Sequence, residues 1–101
     1  MLNLKDKVVI ITGSGRGIGK SLALQFAKAQ AKIVISDINE QDITQTVSEI
    51  QGMGVEALGV KANVALMADC ENLMDKAKEK FGKIDVLINN AGITRDTLLM
   101  R

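Results

Sequence analysis

The sequence predicts an α/β fold: an open, doubly wound parallel sheet built β-α-β-α-β-α-β, with strand order 3-2-1-4. Three observations carry that expectation. Short aliphatic runs alternate with stretches of helical spacing, and each run is rich in Val and Ile, as strands buried on both faces are. The turn out of the first run, Thr12-Gly13-Ser14-Gly15-Arg16-Gly17-Ile18-Gly19, holds four glycines in eight residues.

The first strand, Lys7 to Ile11, passes through that turn straight into a helix whose apolar face is Ile18, Leu22 and Phe26 with Ala23 and Ala27. Such a passage binds anions. The first helical N–H groups have no partner within the helix, the helix dipole adds partial positive charge there, and glycines let the backbone approach a pyrophosphate closely. The second strand is Lys32 to Ser36, and Ile43, Val47 and Ile50 mark the second helix, with Gly52 and Gly54 at its exit. The third strand is Val55 to Val60. Cys70, Leu73, Met74, Ala77 and Phe81 mark the third helix, which stops at Gly82, and the fourth strand is Ile84 to Ile88. Cys70 reads as a small core residue.

Right-handed crossovers make the chain reverse direction beside strand 1, so the crevice at the carboxyl ends of strands 1 and 4 is the expected ligand site. The glycine turn opens there. Asn89-Asn90-Ala91-Gly92 follow strand 4 and face it, with small residues and amides suited to a ribose or nicotinamide. Asn90 either touches ligand or ties the strands together, and both readings stand.

Composition narrows the rest. A chain of 101 residues is one small domain, and its net charge of +1, from 13 basic and 12 acidic residues, calls for neither nucleic acid nor a membrane surface as partner. With one cysteine, no histidine and no apolar stretch of about 18 residues, disulfide frameworks, the usual zinc sites and membrane-spanning helices are not expected. No metal site is expected. The opening residues lack a secretory apolar region, the 47% apolar content argues against disorder, and the chain reads as reduced and cytoplasmic.

Asp37, 24 positions after Gly13, closes the second strand where an acid accepts hydrogen bonds from adenosine ribose hydroxyls and repels a 2′-phosphate. Arg16 pulls the other way, since a guanidinium pairs with that phosphate. NAD(H) is therefore favoured, with NADP(H) open; a cap for the next helix is the other reading of Asp37. The turn is T-G-x-x-x-G-x-G and never falls in the register G-x-G-x-x-G. Ser14 through Ser21 misses the P-loop pattern G-x-x-x-x-G-K-[ST] at one position, Ser14, and a P-loop would set Lys20 on phosphates and Ser21 on Mg²⁺. The favoured reading leaves Lys20 solvated and Ser21 a neutral helix residue.

In this order and at these distances, Thr12-Gly13-x-x-x-Gly17-x-Gly19, Asp37 and Asn89-Asn90-Ala91-Gly92 resemble the short-chain dehydrogenase/reductase family, over essentially the whole chain. The segment from Asn89 to Arg101 is similar to the family's 3-oxoacyl-[acyl-carrier-protein] reductases, enzymes of fatty-acid elongation. The resemblance implies a Rossmann fold with a nicotinamide cofactor. Gly13, Ser14, Arg16 and Ile18, with Gly15, Gly17 and Gly19 of the same turn, would lie along its phosphates. Asn63 and Val64 would meet the adenine, with the Asn63 amide oxygen standing where many relatives carry Asp. Asn90, Ala91 and Gly92 would lie near the ribose and nicotinamide.

Family enzymes reduce a carbonyl by hydride transfer, using a Tyr, a Lys four residues later and a Ser, all beyond the region matched here. This chain has no tyrosine and no histidine, and its serines at 14, 21, 36 and 48 all precede strand 3. The expectation is therefore the cofactor-binding portion, residues 1–101, of a longer NAD(P)-dependent carbonyl or 3-oxoacyl reductase, truncated before the catalytic residues. It would be inactive alone. An acyl or other carbonyl substrate and a homo-oligomer are implied for the longer enzyme. Strand 4 would be left as a sheet edge, and the segment from Thr94 to Arg101 would start a helix whose Leu98-Leu99-Met100 lacks a partner. A non-catalytic nucleotide-binding module and a P-loop protein are the alternatives.

Overall fold

A computed structural model describes residues 3–91. Along the chain run β1 (Val8–Thr12), α1 (Gly17–Lys28), β2 (Lys32–Asp37), α2 (Glu40–Gly52), β3 (Ala57–Lys61), α3 (Met67–Phe81) and β4 (Val86–Ile88). The four strands form a parallel sheet in the order β3-β2-β1-β4. The expected topology is met.

Side-chain alternation sorts the strands' residues into two cores. Val9 and Ile11 of β1 and Ile33 and Ile35 of β2 face α1 and α2, meeting Ala23, Ala27, Ile43 and Ile50. Val8, Ile10 and Val34 face the other way, toward Leu73 and Ala77 of α3. All five residues of β1 are buried, so its unbroken apolar run is what a central strand with helices on both faces requires.

β3 departs from that pattern. It begins at Ala57 rather than Val55, and its burial alternates because β2 is its sole strand partner among the described residues. Gly59 lies under α2, where an added Cβ would stand 2.5 Å from Ile43 Cγ2. The face of α1 also differs: Gly19, Ala23 and Ala27 are its buried residues, while Ile18 is 76% exposed. Small side chains bring α1 close to the sheet and push the larger ones to the rim. Cys70 is half-buried, its thiol donating to the Val64 carbonyl at 3.4 Å, so the core of α3 rests on Leu73 and Ala77.

Helix ends follow capping chemistry. Asn39, not Asp37, caps α2, accepting from the Asp42 N–H at 3.0 Å. Gly82 closes α3 with φ 82°, as expected; α2 runs through Gly52 and turns at Gly54 instead. Beyond Phe81, Asp85 fastens β4 to β1 by a reciprocal pair: its N–H donates to the Val8 carbonyl at 3.0 Å and its carboxylate accepts from the Val8 N–H at 2.8 Å. Gly92 and the segment from Thr94 to Arg101 lie outside the described residues. Among the described residues no helix is long and apolar enough to cross a membrane, and no group of three or more side chains could hold a metal.

Candidate functional site

All four strands run in parallel, so Thr12, Asp37, Lys61 and Ile88 end at one edge of the sheet. At that edge the chain leaves β1 through Gly13, with φ 63°, and enters α1 at Gly17, with φ 64°. Gly17 has open space where a Cβ would stand, so its backbone conformation alone calls for glycine. Gly19 is demanded by contact instead. A Cβ there would fall 2.1 Å from the Gly13 carbonyl oxygen and 2.7 Å from Asn90 Nδ2.

Among the described residues no side chain caps α1, whose N-cap is Arg16, and no acid occupies its first turn. The other helices differ. α2 has its Asn39 cap with Glu40 and Asp42 in the first turn, and α3 has Asp69. Among the described helices, α1 is thus the one with neither a side-chain cap nor an acid in its first turn, which suits an anionic ligand.

The exit of β4 is bonded to this turn. Thr12 Oγ1 donates to Asn89 Oδ1 and accepts from the Ala91 N–H, each at 3.0 Å, and Asn90 Nδ2 donates to the Gly13 carbonyl at 3.1 Å. Asn90 therefore ties the two loops together. Ser14 is fully buried, its hydroxyl donating to the Ile11 carbonyl at 2.6 Å and accepting from the Ser36 N–H at 3.0 Å. Its side chain braces β1 against β2, and Ser36 Oγ, also buried, has no partner among the described residues.

Asp37 faces the glycine turn directly. Its Oδ2 accepts from the Gly15 N–H at 2.9 Å and its Oδ1 from the Ile38 N–H at 2.7 Å. A carboxylate has about four acceptor positions, so capacity remains for ligand hydroxyls. A cleft of about 230 Å³ opens beside it, lined by Gly13, Asp37, Ile38, Ala62, Asn63, Val64 and Ala91. Asn63 Oδ1 already accepts from the Ala65 N–H at 3.0 Å, which leaves that oxygen one further acceptor position. Arg16 and Ile18 are exposed on the turn's outer side.

Lys20 is not solvated as its position suggested. Its ammonium meets Glu49 of α2 at 2.5 Å, which withdraws it from the phosphate role a P-loop would give it. A larger cleft, about 450 Å³, lies at the opposite end of the sheet between Lys5, Lys28, Lys32 and Glu56. It is lined by the C-terminal ends of α1 and α2, where no helix turns unpaired N–H groups toward an anion. Chemistry, not volume, selects the carboxyl edge.

Sequence reasoning missed Thr46. Fully buried on α2, it donates its hydroxyl to the Gly15 carbonyl at 2.8 Å. The signal was there in its spacing, three residues after Ile43 and four before Ile50 on the inward face. Ile38 and Ala62 also line the cleft without having been singled out.

Comparison with known proteins gives a consistent result. A family model described as short chain dehydrogenase matches residues 7–100. A 3-oxoacyl-[acyl-carrier-protein] reductase of Synechocystis is 44% identical over 100% of this chain and 41% of its own length. The crystal structure of a hydroxysteroid dehydrogenase from Escherichia coli superposes with a TM-score of 0.83 at 41% identity, over 86% of this chain and 36% of that one. A short chain dehydrogenase/reductase from Burkholderia phymatum in complex with NAD gives 0.81 at 36% identity, over 86% and 31%. The chain spans about two fifths of the length of the curated relatives it matches first.

Proposed function

The chain belongs to the short-chain dehydrogenase/reductase family, and from that premise we propose that it is the cofactor-binding portion of an NAD(P)-dependent carbonyl reductase, one that prefers NAD(H). The observation that carries the preference is Asp37. Its carboxylate borders the cleft and is tied to Gly15, so a ribose hydroxyl finds an acceptor where a 2′-phosphate would meet a negative charge. Arg16, exposed and free of a cap hydrogen bond, does not outweigh it.

The residues present fit such a cofactor. The uncapped start of α1 would receive the pyrophosphate through backbone N–H groups of Arg16, Gly17, Ile18 and Gly19, with Gly13, Ser14 and Gly15 shaping the turn beneath it, while Asn63 and Val64 would meet the adenine, and Asn90, Ala91 and Gly92 the ribose and nicotinamide. When bound, the dinucleotide supplies the hydride. The chain's own part is to hold and orient it, and we assign no catalytic residue within the 101.

Alone it would not reduce a carbonyl. It has no tyrosine or histidine to donate a proton, and that loss amounts to a factor of about 10²–10⁴. For the whole enzyme we propose an acyl or other carbonyl substrate, a homo-oligomeric assembly and a cytoplasmic setting. The 3-oxoacyl reductase of Synechocystis supports the acyl reading.

Titration with NADH, NADPH and Mg-ATP tests the proposal. NADH should bind tightest. NADPH binding as tightly as NADH overturns the weight placed on Asp37, and a preference for Mg-ATP sinks the dehydrogenase reading.

A further inference from the structure

The glycine turn is held from one more side, and nothing in its own motif shows it. Along α2, Asp42, Thr46 and Glu49 recur at spacings of four and three, and all three meet the turn or α1. A Cβ on Gly15 would stand 2.8 Å from Asp42 Cβ and 2.9 Å from Asp37 Oδ2; Thr46 Oγ1 donates to the Gly15 carbonyl; Glu49 pairs with Lys20.

Thr46 is the informative member. A buried threonine within a helix commonly returns its hydroxyl to the carbonyl four residues back, but this one reaches 31 residues away in sequence to the glycine turn. Gly15 is then fixed on both sides, its carbonyl by Thr46 and its N–H by Asp37. Because a trans peptide points its C=O and N–H in opposite directions, holding the Gly15 carbonyl toward α2 turns the Arg16 N–H away from α2.

We propose that Thr46 is a positioning residue for cofactor recognition: by anchoring the Gly15 peptide it keeps Asp37 in place to discriminate NADH from NADPH. The proposal rests on the cofactor reading above and adds a residue to it. Thr46 touches no ligand. It acts through Gly15.

Two substitutions separate this role from packing. Thr46→Val keeps the shape and removes the hydroxyl; Thr46→Ser keeps the hydroxyl and removes a methyl. Dissociation constants for NADH and NADPH, read by cofactor fluorescence on this chain, give the discrimination ratio for each. A hydrogen bond's worth of positioning should lower the NADH preference about fivefold in Thr46→Val and leave Thr46→Ser near the wild type. The reverse ranking, with Val unaffected and Ser impaired, shows packing and overturns the proposal. So does an unchanged ratio in both. Should Thr46→Val not fold, Thr46→Ala replaces it, and equal ratios for Ser and Ala overturn the proposal. A wild-type chain that binds neither dinucleotide fails earlier, at the cofactor reading itself, and removes both.

Discussion

Single residues around the turn have little freedom, and Gly19 has the least. Gly19→Ala would drive a methyl into the Gly13 carbonyl and the Asn90 amide. The expected outcome is a loss of roughly 1–3 kcal/mol in denaturant stability, together with weakened NADH binding, because the displaced strand exits are the proposed cofactor walls. Asp85 gives a pH signature instead. Its carboxyl is held below the ordinary aspartate value of 3.8, first by the Val8 N–H and then by Lys83, so the stabilisation is present above that value and lost as pH falls below it. Urea midpoints should therefore favour the wild type over Asp85→Asn at about pH 6, with the gap closing toward about pH 3. A gap independent of pH would remove this role. Two residues' places in the fold could be read from the motif alone: Gly19 in the crowded turn and Asp37 at the end of its strand. Ser14 could not. The motif places it among phosphate contacts, while its hydroxyl is spent between β1 and β2, a destination set by pairing 22 residues away.

Elements were legible where local chemistry decides them. The run Val8–Ile11 is apolar at every position because helices cover both faces, and Gly82 closes α3 because the chain turns left-handed there. They were less legible where tertiary neighbours decide: β3 starts late and alternates because β2 is its sole strand partner among the described residues, and α1 turns its small residues inward because it packs close on β1 and β2, with the glycine turn crowding Gly19 as well. The exit of α1 carries a local conflict. Gln30 sits at φ 75° directly after the helix while Ala31 N–H closes back on the Phe26 carbonyl at 3.2 Å. That is a glycine's position. Gln30→Gly should raise stability by about 0.5–1 kcal/mol, since the relief of left-handed strain outweighs the added freedom of the unfolded chain. In contrast, Asn39→Ala should lower it by about 1 kcal/mol by removing the cap of α2. Equilibrium denaturation of both variants checks the two signs together.

At the scale of the molecule, a parallel sheet gathers the ends of four strands at one edge, and that edge holds everything assigned a functional role. The order β3-β2-β1-β4 sets the glycine turn between Asp37 on one side and Asn90 and Ala91 on the other. This juxtaposition was readable in the sequence because crossover handedness leaves few topologies. The bonds that stiffen it, from Thr46 and Ser14, were not, because no local pattern records which hydroxyl finds which distant carbonyl. The central claim is that the dinucleotide binds at the carboxyl edge, in the cleft beside Asp37. Backbone amide NMR during an NADH titration tests it most directly. Gly13, Gly15, Asp37, Asn63, Val64 and Ala91 should shift together in a saturable way, while Lys5, Lys28 and Glu56 at the opposite end stay unchanged; shifts confined to that opposite end would contradict the account.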